Sequence, residues 1–199
     1  MKIMDCNDRK NRVESDSLEQ LIAEFSDRTK KCNGDCCEVD GYGKKSLREA
    51  VQMAAQAKDG NGRKHSHQWR LRRHALDKAE RILSGNLPRI KEAKENGFDS
   101  LHETIMELLK GIKWLGELYY YDTAFRIGLS NGKPIYPNKV YLHAGTMKGA
   151  IALGINVRGK QTLSVSELKK LFPAFEKLEP HQIEDFLCIK KDILHKFKK

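Results

Sequence analysis

Apolar residues recur at spacings of three and four along most of this chain, and this periodicity constrains its fold more than any other feature. Near the start, Leu18, Leu21, Ile22 and Phe25 lie at these spacings, which place them on one face of a helix. Alternation of apolar and polar residues, the pattern of a half-buried strand, is too rare for a sheet. We therefore expect an all-α fold of about seven helices, with a short hairpin near residues 155–164.

The length of the chain sets the expected domain organisation. Its 199 residues suffice to bury one core, and no change in composition separates two domains. Residues 1–15 are polar and aperiodic, so we expect a flexible N-terminus there. Three glycines interrupt the helical pattern at 32–45, which predicts a Cys/Gly-rich loop. We expect a single helical domain over 16–199.

Capping signals mark several helix boundaries. Ser46 with Glu49, and Ser164 with Glu167, form the Ser-x-x-Glu pattern of a capping box. Pro180 suits the first turn of a last helix that continues almost to the C-terminus. We therefore expect helices to begin at these three places.

A face of small residues follows Pro137, near which a further helix is expected to begin. Small side chains let a neighbouring helix approach closely. A phosphate-binding glycine loop is the alternative, but it requires a preceding strand and a Gly-Lys-Ser/Thr ending that this sequence lacks. We therefore expect these residues to serve helix packing. They are Ala144, Gly145, Gly149 and Ala150.

Basic residues are concentrated in the body of the chain. The net charge is +10, and the densest stretch, 63–95, holds ten Lys/Arg against four Asp/Glu. We expect a helix over 65–83 with Trp69 and Leu76 inward and its arginines outward. Such a field attracts polyanions, so nucleic acid is the expected partner. An acidic protein partner and a merely solvated basic surface are the alternatives.

No part of the sequence indicates a membrane partner or a cofactor. Its apolar runs are shorter than the roughly 18 residues of a spanning helix, and the start, MKIMDCNDRKNRVES, is too polar for a signal peptide. The five cysteines, an odd number, form no tidy disulfide framework. We therefore expect a cytoplasmic protein, and none of its motifs predicts a cofactor.

The stretch at 105–128 reads IMELLKGIKWLGELYYYDTAFRIG, which predicts a hydrophobic helix, a glycine-bounded turn and a second helix. It resembles the helix-hairpin-helix motif, a family of DNA-binding elements. In that family, hydrophobic residues and glycines alternate in the hairpin. Here Trp114 takes the place of the first glycine, Gly116 keeps the second, and Tyr120 replaces the small residue that packs the two helices together.

The resemblance implies that the hairpin amides and the start of the second helix hold a backbone phosphate, since helix N-termini attract anions. Successive helical residues point about 100° apart, so at least one of Tyr119, Tyr120 and Tyr121 should be exposed. The expected nucleic-acid-binding residues are Arg63, Lys64, His67, Arg70, Arg73, Lys113, Trp114 and Gly116.

Three residues are candidates for catalysis: Asp122, His143 and His67. Glycosylases built on this motif carry a catalytic Asp well beyond the hairpin, and no acidic residue lies between Asp122 and Glu167, which argues against that plan. Asp122 is alternatively a charge that stabilises a helix N-terminus. We expect a nucleic-acid-binding protein with no assigned reaction; a protein-interaction subunit and a nucleic-acid-processing enzyme are the alternatives.

A zinc site is the remaining candidate. Cys32, Cys36 and Cys37 supply thiolates, and His65 and His67 supply imidazoles, which are the ligands that zinc prefers. The Cys-x3-Cys-Cys spacing does not match the paired Cys-x2-Cys spacing of zinc knuckles. We therefore predict no metal site.

Overall fold

The computed structural model of this protein describes residues 17–31 and 38–198. Helices dominate these residues, which confirms the all-α class, and none of the described helices is long and apolar enough to span a membrane. The elements are α1 (Leu18–Lys31), α2 (Glu38–Gly43), α3 (Leu47–Ala55), α4 (Arg73–Gly85), α5 (Leu87–Glu95), α6 (Phe98–Leu109), α7 (Glu117–Gly128), β1 (Lys139–Tyr141), α8 (Ala144–Ala152), β2 (Thr162–Ser164), α9 (Val165–Leu171) and α10 (Pro180–Lys190), with 3-10 turns at Ser66–Gln68, Pro173–Lys177 and Leu194–Phe197.

The described residues group into two compact units. One contains α1 together with everything from β1 onward, and the other contains α2 to α7. Each unit has buried apolar side chains of its own. The organisation as a single domain over 16–199 stays a prediction.

Helix α7 is the central element of the second of these units. From Tyr119 to its end, every residue is buried except Asp122, which is partly so. A helix covered on all sides needs neighbours all round, and α2, α3 and α6 pack against it. The prediction that at least one tyrosine would be exposed is therefore wrong, because Tyr119, Tyr120 and Tyr121 are all buried.

The helix expected over 65–83 begins only at Arg73. The residues before it form a loop with a short 3-10 turn, Ser66–Gln68. Trp69, expected to face the core, is 65% exposed. The expectation assumed that Trp69 belongs to a helix, whereas it lies in the loop before α4. From Leu76 onward the expected apolar positions are buried or half-buried, as predicted.

The loop expected at 32–45 contains the short helix α2. Tyr42 of this helix is fully buried, and its hydroxyl donates to Lys58 O at 2.5 Å. Burial of this ring outweighs the local preference of the nearby glycines for loop structure. Residues 32–37 and 1–15 lie outside the described residues, so the expectations for them stay predictions.

Strands β1 and β2 form a two-stranded antiparallel sheet, with Val140 opposite Leu163. The extended segment expected near 155–164 is therefore present as β2. Its partner strand, β1, precedes α8, so the two strands do not form the expected hairpin. The helix expected to begin near Pro137 starts instead at Ala144. Val140 and Leu163 are both buried, so packing in the core favours strand pairing over a longer helix.

The small-residue face of α8 packs against α10, as the sequence predicted. A Cβ built on Gly149 would lie within 3.0 Å of three backbone atoms of Leu187, and one built on Gly145 would overlap the thiol of Cys188. At Gly149 the overlapping atoms are backbone and cannot give way, so only glycine fits there and the two helices approach to backbone contact. The Ser46 and Ser164 hydroxyls accept hydrogen bonds at the starts of α3 and α9, but only Ser46 forms the complete capping box. The last helix begins at Pro180 as expected and ends at Lys190, short of the expected C-terminal extent.

Candidate nucleic-acid interface

The loop between α3 and α4 begins with a compact turn. Lys58 and Lys64 form an isolated antiparallel bridge across it. Asp59 Oδ1 accepts hydrogen bonds from the backbone amides of Asn61 at 2.9 Å and Arg63 at 2.8 Å. The only carboxylate of the loop is therefore engaged by backbone, while the Arg63 side chain remains exposed.

A lysine fixes the second half of this loop. Lys64 Nζ donates to the backbone carbonyls of Trp69 at 3.2 Å and Leu71 at 2.8 Å. These two bonds hold the chain on either side of Arg70, whose guanidinium lies 5.3 Å from the centroid of the Trp69 ring. The exposed Trp69 indole is thereby paired with a cation on a fixed backbone.

The hairpin between α6 and α7 has two residues in the left-handed region, Gly111 at φ 85° and Trp114 at φ 81°. Ile112 and Leu115 point into the unit and are buried, and the Leu115 amide donates to Ile112 O at 3.2 Å. Gly116 then caps α7 in an extended conformation and offers no capping side chain. The first-turn amides of α7 have no partners within their own helix.

Tyr120 supports this hairpin from the buried side. Its hydroxyl donates to Leu115 O at 2.9 Å. Burial, followed by the nearby charge of Glu117, raises the pKa of Tyr120, so the hydroxyl keeps the proton that it donates. The Tyr120 side chain therefore packs beneath the hairpin and bonds to the turn itself.

Trp114 adopts a backbone conformation that favours glycine. A bulky residue at positive φ is a genuine outlier. Packing of the indole offsets little of the free energy of this backbone strain, since the residue is 50% exposed. Strain of this kind, of order 1–3 kcal/mol, persists mainly at functional sites.

The loop and the hairpin meet at Trp114. The Arg72 guanidinium lies 5.5 Å from the centroid of the Trp114 ring, and Lys113 Nζ lies 5.3 Å from it. Two segments forty residues apart in sequence thus form one exposed surface. We call it the basic indole surface, and it consists of Trp69, Arg70, Arg72, Lys113 and Trp114.

A polar cluster beneath the loop joins it to α7. His67 Nε2 lies 2.9 Å from Asp122 Oδ2, and Gln68 Nε2 donates to the same oxygen at 2.7 Å. Arg126 NH1 donates to Gln68 Oε1 at 2.9 Å, and its other terminal nitrogen lies 3.8 Å from the carboxylate. The Arg126 side chain is 1% exposed, so the carboxylate balances a buried charge.

The structure brings together two of the three catalytic candidates, Asp122 and His67, and the His67 side chain is 43% exposed. The third, His143, belongs to the other unit, where it occupies the N-cap position of α8 without a capping hydrogen bond from its side chain and stacks on Tyr141 with ring centroids 6.3 Å apart. Asp122 occupies the middle of α7 rather than its first turn, so it is held by side chains more than by the helix dipole.

The other residues singled out from the sequence are Arg73 and the possible zinc ligands. Arg73, at the start of α4, is 95% exposed and lies 3.8 Å from Asp77. The rings of His65 and His67 are 5.5 Å apart. No cluster of three His, Cys, Asp or Glu side chains suited to a metal exists within the described residues. Cys32, Cys36 and Cys37 fall outside those residues.

Sequence reasoning missed two residues of this region: Arg72 and Arg126. Arg126 follows Asp122 by one helical turn, a spacing that pairs opposite charges, so this contact was available from the pattern. Arg72 carried no such signal, since its contact with Trp114 spans more than forty residues of chain.

Comparisons with family models, with curated proteins and with solved structures gave no match to this chain.

Proposed function

We propose that this protein binds nucleic acid through the basic indole surface. The contact of Arg72 with Trp114 carries the proposal, because it joins the basic loop and the hairpin into one exposed surface. Proteins hold nucleic acids with arginine and lysine on the phosphates and aromatic rings on the bases. Both kinds of group lie side by side here.

Local charge supports the proposal. Residues 58–73 hold six Lys/Arg and one acidic residue, and residues 110–116 hold two lysines and no acidic residue. The single acid, Asp59, already accepts two backbone hydrogen bonds. The field over this surface therefore attracts a polyanion.

The predicted binding residues divide into two roles. The side chains of Arg63, Arg70, Arg73 and Lys113 are exposed, and we assign them to phosphate contacts. Lys64 is a positioning residue, because its ammonium group holds two loop carbonyls.

Two further assignments come from the hairpin and the polar cluster. The resemblance to the helix-hairpin-helix motif supports a phosphate at the amides that follow Gly116. His67 lies at the edge of the loop with a partly exposed ring, where it is assigned to a polar contact with the bound strand.

Fluorescence polarisation of labelled single-stranded and double-stranded DNA and RNA, at several salt concentrations, tests the proposal. We expect the logarithm of the association constant to fall linearly with the logarithm of salt, by about 0.7 per phosphate contact on single strands and about 0.9 on duplex. Binding that is absent at low salt, or indifferent to salt, would overturn the proposal.

An enzyme of nucleic-acid processing is a second candidate, and the 2.9 Å contact of His67 with Asp122 favours it. A carboxylate that orients an imidazole is an arrangement used in general acid–base catalysis. Asp122→Asn would then abolish turnover while binding persists, and unchanged turnover would remove Asp122 from any mechanism.

A subunit that docks an acidic protein would use the same cations. Recovery of a stable protein complex that contains no nucleic acid would distinguish this candidate from the proposed nucleic-acid binder. The proposed cytoplasmic location rests on the cysteine count alone.

A further inference from the structure

We infer that the basic indole surface takes unpaired nucleobases, so that its ligand is single-stranded nucleic acid rather than a duplex. This inference rests on the proposed function and specifies its substrate. It begins from what a tryptophan supplies at position 114 that a glycine does not.

Phosphate binding by a hairpin of this kind does not need an indole. The motif it resembles uses a glycine at the position of Trp114, and the φ of 81° is the conformation in which glycine is unstrained. Ile112 and Leu115, on either side, make the buried contacts of the hairpin. The indole is half exposed and therefore adds little to the core. What it adds is a half-exposed aromatic ring at the surface, accompanied by the cations of Arg72 and Lys113.

The second tryptophan has the same environment. Trp69 is 65% exposed, and its carbonyl is held by Lys64. Large aromatic rings are expensive to leave in water, yet both tryptophans of the chain lie on this surface and neither is buried. Each is accompanied by at least one cation, Arg70 at Trp69 and both Arg72 and Lys113 at Trp114.

This combination matches the chemistry of a single strand. Unpaired bases expose their faces for stacking on aromatic rings, and the backbone beside them carries one phosphate per base for the cations. In a duplex the base faces are covered by their neighbours, so the indoles would have nothing to stack on. Each stacked base contributes a factor of about 5 to 150 in affinity.

A protein ligand fits the surface less well. Tryptophan and arginine are common at protein interfaces, but the cores of such interfaces are depleted of charge. Here two exposed tryptophans are accompanied by three cations, and the acidic residues of the adjoining chain are Asp59, which accepts two backbone hydrogen bonds, and Glu117, which follows the hairpin. An acidic peptide remains one outcome of the experiment rather than a second proposal.

Intrinsic fluorescence provides the first arm of the test, because the protein has only two tryptophans and both belong to the surface. The full chain is titrated at low salt with four ligands of equal length: single-stranded DNA, single-stranded RNA, duplex DNA, and an abasic single strand that keeps the phosphates. We expect quenching by the two base-containing single strands, and binding at least about fivefold weaker to the abasic strand and the duplex.

The second arm compares Trp114→Gly with wild type. Glycine suits the local φ, so the variant is expected to fold, which thermal unfolding checks. Its affinity for base-containing single strands should fall about 5- to 150-fold while its affinity for the abasic strand stays unchanged. Trp114→Phe, which keeps a stackable ring, should recover most of the loss, and Trp69→Gly should repeat the pattern of Trp114→Gly.

The possible results test nucleic-acid binding and the preference for single strands separately. If the abasic strand and the duplex bind as tightly as base-containing single strands, without quenching, the single-strand inference is wrong while nucleic-acid binding stands. If no nucleic acid binds at low salt, both are wrong. Quenching by an acidic peptide such as polyglutamate, with none by nucleic acid, would likewise overturn both.

Discussion

His67 Nε2 lies 2.9 Å from Asp122 Oδ2, and this contact ties the exposed loop to the most buried helix of its unit. The same oxygen accepts a hydrogen bond from Gln68, so the whole 3-10 turn is held by one carboxylate. Arg126 approaches that carboxylate from the core. The turn that precedes Trp69 is therefore anchored to α7 by a largely buried carboxylate.

Asp122→Ala is expected to lower the free energy of unfolding by roughly 3–5 kcal/mol, because it removes the carboxylate beside the buried Arg126 guanidinium. Denaturant-induced unfolding measures this. The control is Glu107→Ala, which breaks the exposed pair with Arg89 in the same unit and should cost no more than about 1 kcal/mol. Equal losses for the two variants would contradict the anchoring role.

Trp114→Gly should be more stable than Trp114→Ala by about 1 kcal/mol. Both variants remove the indole, but alanine keeps the strain of φ 81° and glycine relieves it. Calorimetric melting of the two proteins makes the comparison. A more stable alanine variant would show that the backbone at this position is not strained.

Gly149→Ala should destabilise its unit by about 3 kcal/mol or more, because the new methyl group would overlap backbone atoms of Leu187. Gly85→Ala is the matched control: nothing lies within 4 Å of its added Cβ, and the change should be neutral or stabilise by up to about 1 kcal/mol. Thermal unfolding distinguishes the two. Similar melting temperatures would mean that α8 and α10 do not pack at backbone contact.

Arg70→Glu/Arg73→Glu should weaken binding of single strands and reduce the salt slope by roughly 1.4, if each arginine contacts one phosphate. Arg158→Glu/Lys160→Glu carries the same change in net charge on exposed residues of the other unit. That control should bind nearly as wild type does. If the control loses as much affinity, binding follows net charge rather than this surface.

Tyr119 predicts how stability depends on alkaline pH. Its hydroxyl donates to Ala55 O at 2.6 Å, and burial raises its pKa well above the ordinary value of 10.0. Because the folded state holds this proton more tightly than the unfolded state, the contribution is complete below pH 10 and is lost as pH rises above it. Tyr119→Phe should flatten the decline in stability above that pH.

Denaturant titrations at several alkaline pH values make this measurement. Tyr136→Phe is the control, since its ring is 39% exposed and should not change the slope. A Tyr119→Phe protein with the same alkaline slope as wild type would contradict the role of burial.

Local sequence patterns predicted those helices whose boundaries or packing faces are set by residues close together in the chain. The capping box at Ser46, the proline at the start of α10 and the glycine face of α8 each act within a few residues, and each was confirmed. The patterns were less informative at 65–72, where hydrogen bonds from Lys64 and to Asp122 replace the helical ladder. Those partners cannot be read from spacing.

The sequence by itself determined the all-α class, most helix starts, the basic character of 63–95 and the presence of a tryptophan in the hairpin that follows α6. Only the tertiary structure decided that three consecutive tyrosines are buried, that Trp69 is exposed and that Arg72 meets Trp114. The physical reason is the distance along the chain over which each kind of interaction acts. Caps and periodicity act within one or two helical turns, whereas burial depends on which distant segments cover a residue.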